Sequence, residues 1–193
     1  MIVFISGGAR SGKSAVAEAE VRKAAGATAP YYIATANASD AEMATRIARH
    51  RASRGLSWVT LEAPLALAPA IARVPDGGAA LLDCLTLWAS QVLYPQPPAR
   101  PFMAEPVTPG QALADLGECL NAARRRGMTL AIVSNDLNEA LLSDDAETWR
   151  YVAFLQRAHR LVARRADSVL EVAAGQPLEW KPASMRDRGD ARR

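Results

Sequence analysis

The sequence predicts an α/β fold: a mostly parallel sheet with helices on both faces, in three layers. Three observations predict it. Short β-branched or apolar runs alternate with alanine-rich, helix-period stretches along nearly the whole chain, the pattern of parallel strands joined by right-handed helical crossovers. The first run, "MIVFIS", breaks at once into glycines and then a helix-forming stretch. At 193 residues, with 50% hydrophobic and 22% charged, the chain has the size and composition of one globular domain.

The elements follow in order. "MIVFIS" reads as a strand ended by glycine, and "KSAVAEAEVRKAAG" as a helix closing at Gly26, a common terminator. "PYYIATA" reads as a second strand. In "SDAEMATRIARHRASR" Ser39 and Glu42 have capping-box spacing and Met43 and Ile47 share an apolar stripe, so a helix is expected. "LSWVTL", "AALLDCL" and "MTLAIVS" are further strands, with "APLALAPAIARV" and "TLWASQVL" as helical connections. The stretch 94–110, with six prolines, is expected to be neither a regular helix nor a central strand. It reads as an excursion from a single nucleotide-binding domain spanning 1–193. A long helix, "DAETWRYVAFLQRAHRLVARRA", should close the sheet from behind, before "SVLEVAAG" and "PLEW" as the last two strands.

Composition excludes several function classes. No apolar stretch approaches the roughly 18 to 20 residues needed to cross a bilayer, and the N-terminus enters the glycine motif too early for a secretory signal. A cytoplasmic protein without membrane insertion is expected. Cys84 and Cys119 make neither a disulfide framework nor a zinc cluster, and read as buried thiols. The net charge is only +3, part of it in the mixed-charge tail "MRDRGDARR", so a nucleic-acid partner is not expected.

Gly7 to Ser14, "GGARSGKS", fits G-x-x-x-x-G-K-[ST] completely between a strand and a helix, the setting in which that motif holds phosphates. Gly7, Gly8 and Gly12 would let the backbone N–H groups through Ala9, Arg10 and Ser11 turn toward phosphate oxygens, beside a helix amino end. Lys13 would meet the outer phosphates and Ser14 would ligate Mg²⁺. These residues predict the P-loop NTPase (RecA-like) version of the three-layer fold. Asp83, closing "AALLD", is the carboxylate placed to help hold the metal; as an alternative it caps the next helix.

His50 lies between the apolar stripe and the charged side of its expected helix, among Arg46, Arg49, Arg51 and Arg54. Those arginines suit a phosphate chain and would lower the imidazole pKa, keeping it neutral and nucleophilic. From spacing alone, a surface histidine on a basic helix is the other reading.

"GGARSGKS", "YYIATA", "DAEMATRIARHRASRGLSW", "LLDCLTLW" and "IVSND" occur in this order, and together the chain resembles the bifunctional adenosylcobinamide kinase / adenosylcobinamide-phosphate guanylyltransferase family of cobalamin biosynthesis. The most specific part is the R-I-x-x-H-x-x-x-R-x-x-x-W block, Arg46 to Trp58. The resemblance implies that His50 attacks the α-phosphate of GTP and carries GMP covalently. It implies that ATP or GTP first phosphorylates the aminopropanol hydroxyl of adenosylcobinamide. It also implies that nucleotide touches Thr35, Ala36, Asn37, Arg51, Ala52, Ser53 and Arg54, that Glu62 lines the guanine side, and that the protein is a homotrimer. Two other functions fit the motif: a kinase of a small hydroxylated substrate, and a non-catalytic GTP-binding regulatory module.

The chain departs from the family pattern in two places. After "LAIVSN", the usual Glu-Val-Gly and second glycine become "DLNEALLSDD". Farther on, His159 and Arg160 occupy the family's Asn-Gln positions, and His159 by itself reads as a solvated or packing residue in an Arg-rich helix. Nucleotide chemistry is therefore better supported by the residues than corrinoid binding.

Overall fold

A computed structural model describes residues 1–36, 57–95, 107–137 and 145–182. The strands are β1 (Ile2–Gly7), β2 (Tyr31–Ala34), β3 (Val59–Glu62), β4 (Ala79–Asp83), β5 (Thr129–Asn135), β6 (Ser168–Ala173) and β7 (Gln176–Lys181). The helices are α1 (Lys13–Ala25), α2 (Leu67–Ala72), α3 (Leu85–Leu93), α4 (Pro109–Arg125) and α5 (Ala146–Arg165). The seven strands form one sheet in the order β3-β2-β4-β5-β1-β6-β7. All neighbours are parallel except the β6–β7 pair.

Strand alternation divides the core in two. Ile2 and Phe4 of β1, Leu82 of β4, and Leu130 and Ile132 of β5 turn to one face, where α2, α3, α4 and α5 cover them. Trp88 of α3 and Phe154 of α5 meet there with ring centroids 5.6 Å apart. Val3, Ile5, Leu81, Ala131 and Val133 turn to the other face, under Ala17, Val21 and Ala25 of α1. A central strand buried on both faces reads as a continuous apolar run, which is why "IVFI" and "LAIV" carry no polar alternation. Burial of each such side chain is worth about 1.5–3 kcal/mol.

The three-layer α/β architecture with a mostly parallel sheet matches the expectation. Every strand read from the sequence is present, and the long helix after β5 packs its Phe154, Leu155, Ala158 and Val162 into the core. One helix departs from the sequence reading. The proline-rich stretch expected to exclude helix gives up its last two residues, Pro109 and Gly110, to the first turn of α4. Proline is tolerated there because the first helical N–H has no intrahelical partner to lose. Thr108 and Gln111 close a capping box around it: Gln111 N donates to Thr108 Oγ1 at 3.3 Å and Thr108 N to Gln111 Oε1 at 2.9 Å. The signal was in the sequence as Thr-Pro-Gly-Gln. Residues 96–106 of that stretch, and the expected helix bearing His50, lie outside the described residues.

Six parallel strands end on one edge of the sheet. In an open parallel sheet, ligands bind outside the carboxyl ends of the strands. That edge carries Gly7, Ala34, Glu62, Asp83, Asn135 and Ala173.

Candidate functional site

The phosphate loop joins β1 to α1 as expected. Gly12 stands at the head of α1 in the left-handed region, φ 93°, with no side chain capping the helix and no acidic residue in its first turn. A helix amino end left bare in this way is a ready anion site. Gly8, Ala9, Arg10 and Gly12 are exposed, Ser11 and Ser14 half-buried. Arg10 itself takes a positive φ of 59°. Lys13 is buried and folds back so that Nζ donates to Gly8 O at 2.9 Å, spanning the loop it would serve. The Ser11 hydroxyl is buried inside the loop without a hydrogen-bond partner.

The loop is braced from the far end of the chain. The turn between β6 and β7 places Ala174 and Gly175 at positive φ, 49° and 80°, and Gly175 N donates to Ser11 O at 2.7 Å. A Cβ on Gly12 would come within 3.1 Å of Gly175 Cα, and one on Gly7 within 2.4 Å of Val172 O. These two glycines serve close backbone approach to the last hairpin as well as the turn itself.

Asp83 ends β4, separated from β1 by β5, a distance of about 10 Å at ordinary strand spacing. Its Oδ2 accepts a hydrogen bond from Tyr32 Oη at 2.7 Å, which fixes the direction of the carboxylate. The alternative helix-capping role is overturned: Cys84 is the N-cap of α3, and no side chain caps that end. Next to it, Thr35 is fully buried. Its hydroxyl donates to Cys84 O and accepts from Cys84 N, both at 2.8 Å, and its carbonyl accepts from Gln91 Nε2. Thr35 thus holds the turn after Asp83 in place. Burial and the charge of Asp83 raise the Cys84 thiol above its ordinary pKa, so it stays protonated and is no nucleophile. Cys119 is buried and raised likewise.

Register places the remaining candidates. Ala34 pairs with both Glu62 and Asp83, so Glu62, the Thr35–Ala36 segment and Asp83 share one side of the binding edge. Glu62, at the far end of β3, is four strand spacings from β1, about 19 Å. His50, Asn37, Arg51, Ala52, Ser53 and Arg54 lie outside the described residues.

Sequence reasoning missed one pair at this edge. Of the two readings of His159, solvated or packing, the fold bears out packing: the residue is half-buried, its Nε2 lies 2.7 Å from Ser134 Oγ, and its ring sits against Phe4 with centroids 5.3 Å apart. Burial pushes its pKa down to about 4, only partly opposed by Asp136. Arg160, its neighbour in the altered pair, points the other way and lines an outer groove with Arg157 and Arg164.

Among the described residues no group of three His, Cys, Asp or Glu side chains gathers to hold a metal. Ser14 and Asp83 offer a hydroxyl and a carboxylate, a hard oxygen set. That set suits Mg²⁺, which keeps several waters and completes its shell on substrate phosphates. No described helix is long and apolar enough to cross a membrane.

Residues 3–180 match the family described as cobinamide kinase / cobinamide phosphate guanyltransferase. The chain is 39% identical over 179 residues to the bifunctional adenosylcobalamin biosynthesis protein CobP of Pseudomonas aeruginosa, covering 92% of this chain and 96% of that one. It is 30% identical over 178 residues to the protein CobU of Salmonella typhimurium, also named a bifunctional adenosylcobalamin biosynthesis protein, covering 91% and 97%. Among solved structures, a KaiC-like protein from Pyrococcus horikoshii superposes with a TM-score of 0.54 at 12% identity, covering 96% of this chain and 80% of that one. The last likeness is one of fold.

Proposed function

Because the chain belongs to the cobinamide kinase / cobinamide phosphate guanyltransferase family, we propose that it is a bifunctional enzyme of cobalamin biosynthesis that uses one phosphate loop for two reactions. In the first, the aminopropanol hydroxyl of adenosylcobinamide attacks the terminal phosphate of ATP or GTP. A new O–P bond forms, the bridging O–P bond breaks, and the nucleoside diphosphate leaves as the hydroxyl proton is lost. In the second, the His50 imidazole attacks the α-phosphate of GTP, and pyrophosphate leaves with the α–β bridging oxygen. The phosphate of adenosylcobinamide-phosphate then displaces histidine from GMP, giving adenosylcobinamide-GDP.

The observation that carries this reading is the loop itself, a bare helix end with Lys13 folded across it and Asp83 oriented by Tyr32 two strands away. Phosphoryl transfer is mostly positioning and charge neutralisation. Backbone N–H groups from Gly7 to Gly12 would hold the phosphate chain, and Lys13 would exchange the Gly8 carbonyl for phosphate oxygens. Ser14 and Asp83 would hold Mg²⁺, which when bound neutralises charge on the phosphates. Thr35, Ala36, Asn37, Arg51, Ala52, Ser53, Arg54 and Glu62 would line the nucleoside and α-phosphate side. Gln91 and Cys84 already hold Thr35 by its carbonyl and hydroxyl, so its contribution is to fix the segment that follows it. We assign the enzyme to the cytoplasm as a homotrimer, a state that analytical ultracentrifugation reads directly.

The test is labelling. Incubation with Mg²⁺ and α-labelled GTP should give an acid-labile adduct, absent in His50→Ala and chased off by adenosylcobinamide-phosphate. The sequence after Asn135, where corrinoid binding is less supported than nucleotide chemistry, favours one second reading, a kinase of a small hydroxylated substrate without guanylyl transfer. It predicts γ-phosphate transfer that survives His50→Ala, with no α-label on the wild-type protein.

A further inference from the structure

Among the described residues, fully buried Ser134 and half-buried His159 form a polar pair with no assigned role, beside the strand that carries the phosphate loop. Ser134 is the penultimate residue of β5 and is fully buried. It pairs with Ser6 across the sheet, and the next residue, Asn135, pairs with Gly7. One residue on, Asp136 N donates to Gly7 O at 3.0 Å. The backbone from Ser134 to Asp136 is therefore the wall against which the first glycine of the loop rests.

Most buried hydroxyls have a hydrogen-bond partner, and His159 of α5 supplies one to Ser134 at 2.7 Å. The imidazole is held in turn by the Phe4 ring, tilted 53° to it, and Phe4 lies two residues before Ser6 on the same face of β1. Hydrogen bond and ring contact together leave the imidazole little freedom. With its pKa pushed down to about 4 by burial, the ring is neutral at working pH and brings no charge to the phosphates. It acts on backbone.

We propose that His159 is a positioning residue of the nucleotide site, which through Ser134 holds the carboxyl end of β5 against Gly7 and so sets the phosphate loop for its ligand. This rests on the reading of Gly7 to Ser14 as the nucleotide site. Backbone N–H groups that grip phosphate must be held within a few tenths of an ångström of their working geometry, and Gly7 has no side chain with which to hold itself.

The experiment measures GTP affinity, with Mg²⁺ and no corrinoid, by calorimetry at a temperature where every variant is folded by circular dichroism. His159→Leu leaves the Ser134 hydroxyl buried and unpaired, and should raise the Kd about tenfold. His159→Gln places an amide nitrogen near the position of Nε2 and should return the Kd to within about twofold of wild type. The double variant His159→Leu/Ser134→Ala removes both partners, a change that costs little, and should bind better than His159→Leu alone. An unchanged Kd in folded His159→Leu overturns the proposal. So does a double variant as weak as the single one, because His159 would then not act through Ser134. Lys13→Ala serves as the separate control. If it binds GTP as wild type does, the phosphate-loop reading itself fails, whatever the His159 variants show.

Discussion

Substituting the first glycine of the phosphate loop tests how firmly the loop is clamped. A Cβ on Gly7 would stand 2.4 Å from Val172 O and 2.7 Å from Ser11 Oγ, on a backbone whose φ is +155°. Val172 cannot retreat, because it lies buried in β6, paired with β7. An alanine there combines backbone strain of about 1–3 kcal/mol with overpacking of about 1–3 kcal/mol, so Gly7→Ala should cost about 2–6 kcal/mol. Against a total of about 5–15 kcal/mol for a typical domain, that is a large loss, and at this chain length it lowers Tm by about 2–4 °C per kcal/mol. Gly8→Ala is the matched control, since nothing lies within 4 Å of its Cβ; it should change stability by less than about 1 kcal/mol. Urea unfolding of both variants, with GTP binding measured alongside, reads the difference. If Gly7→Ala unfolds within about 0.5 kcal/mol of Gly8→Ala, the clamp by β6 does not exist as described.

Three other outcomes are expected. Thr35→Val strands the Cys84 N–H and C=O that the hydroxyl now satisfies, and should lose about 2–4 kcal/mol in urea unfolding; a loss below about 0.5 kcal/mol would contradict that bonding. Tyr32→Phe removes the hydroxyl that donates to Asp83 Oδ2 at 2.7 Å, and should raise the Mg²⁺ concentration for half-maximal turnover severalfold, with little change in Tm; an unchanged Mg²⁺ curve would remove Asp83 from the metal site. His159 titrates lower in the folded protein, about 4 against an ordinary 6.5, so the unfolded chain binds the extra proton first. Stability should be full above about pH 6.5, fall by up to about 3 kcal/mol as pH drops to about 4, and fall no further from this group below that. Asp136 is the charge that works against the shift, and His159→Gln should flatten the slope; a slope that persists in the variant belongs to other groups.

The phosphate loop was legible because its chemistry is local: eight consecutive residues must turn tightly, open a helix and carry a lysine. The strands were legible for a similar reason, since a strand buried on both faces can only be an apolar run. Helix α4 was hidden by prolines at 94–110, although Thr108, Pro109 and Gln111 carried a local start signal. Asp83 could be placed at a strand end, but that Cys84 stands at the head of α3 and that Tyr32, from another strand, holds the Asp83 carboxylate show only in the fold. The partner of His159 was illegible for the same reason: α5 has arginines on both sides of it, and only the packed fold shows that one turn of that helix reaches Ser134. Gly7 was readable as a turn former and unreadable as the contact of Val172, because nothing near Gly7 in the sequence announces β6.

The brace on the phosphate loop also has a consequence in time. A ribosome makes Gly7 to Ser14 well before Val172 to Gly175, so the motif emerges long before the hairpin that presses on it. A nascent chain halted before β6 would carry the whole motif with Ser11 O lacking its bond to Gly175 N, and Gly7 and Gly12 lacking the surfaces they were spared side chains to meet. Nucleotide would therefore find its working grip only on a chain that has folded back on its own beginning, and GTP binding would report completed folding as much as it reports substrate.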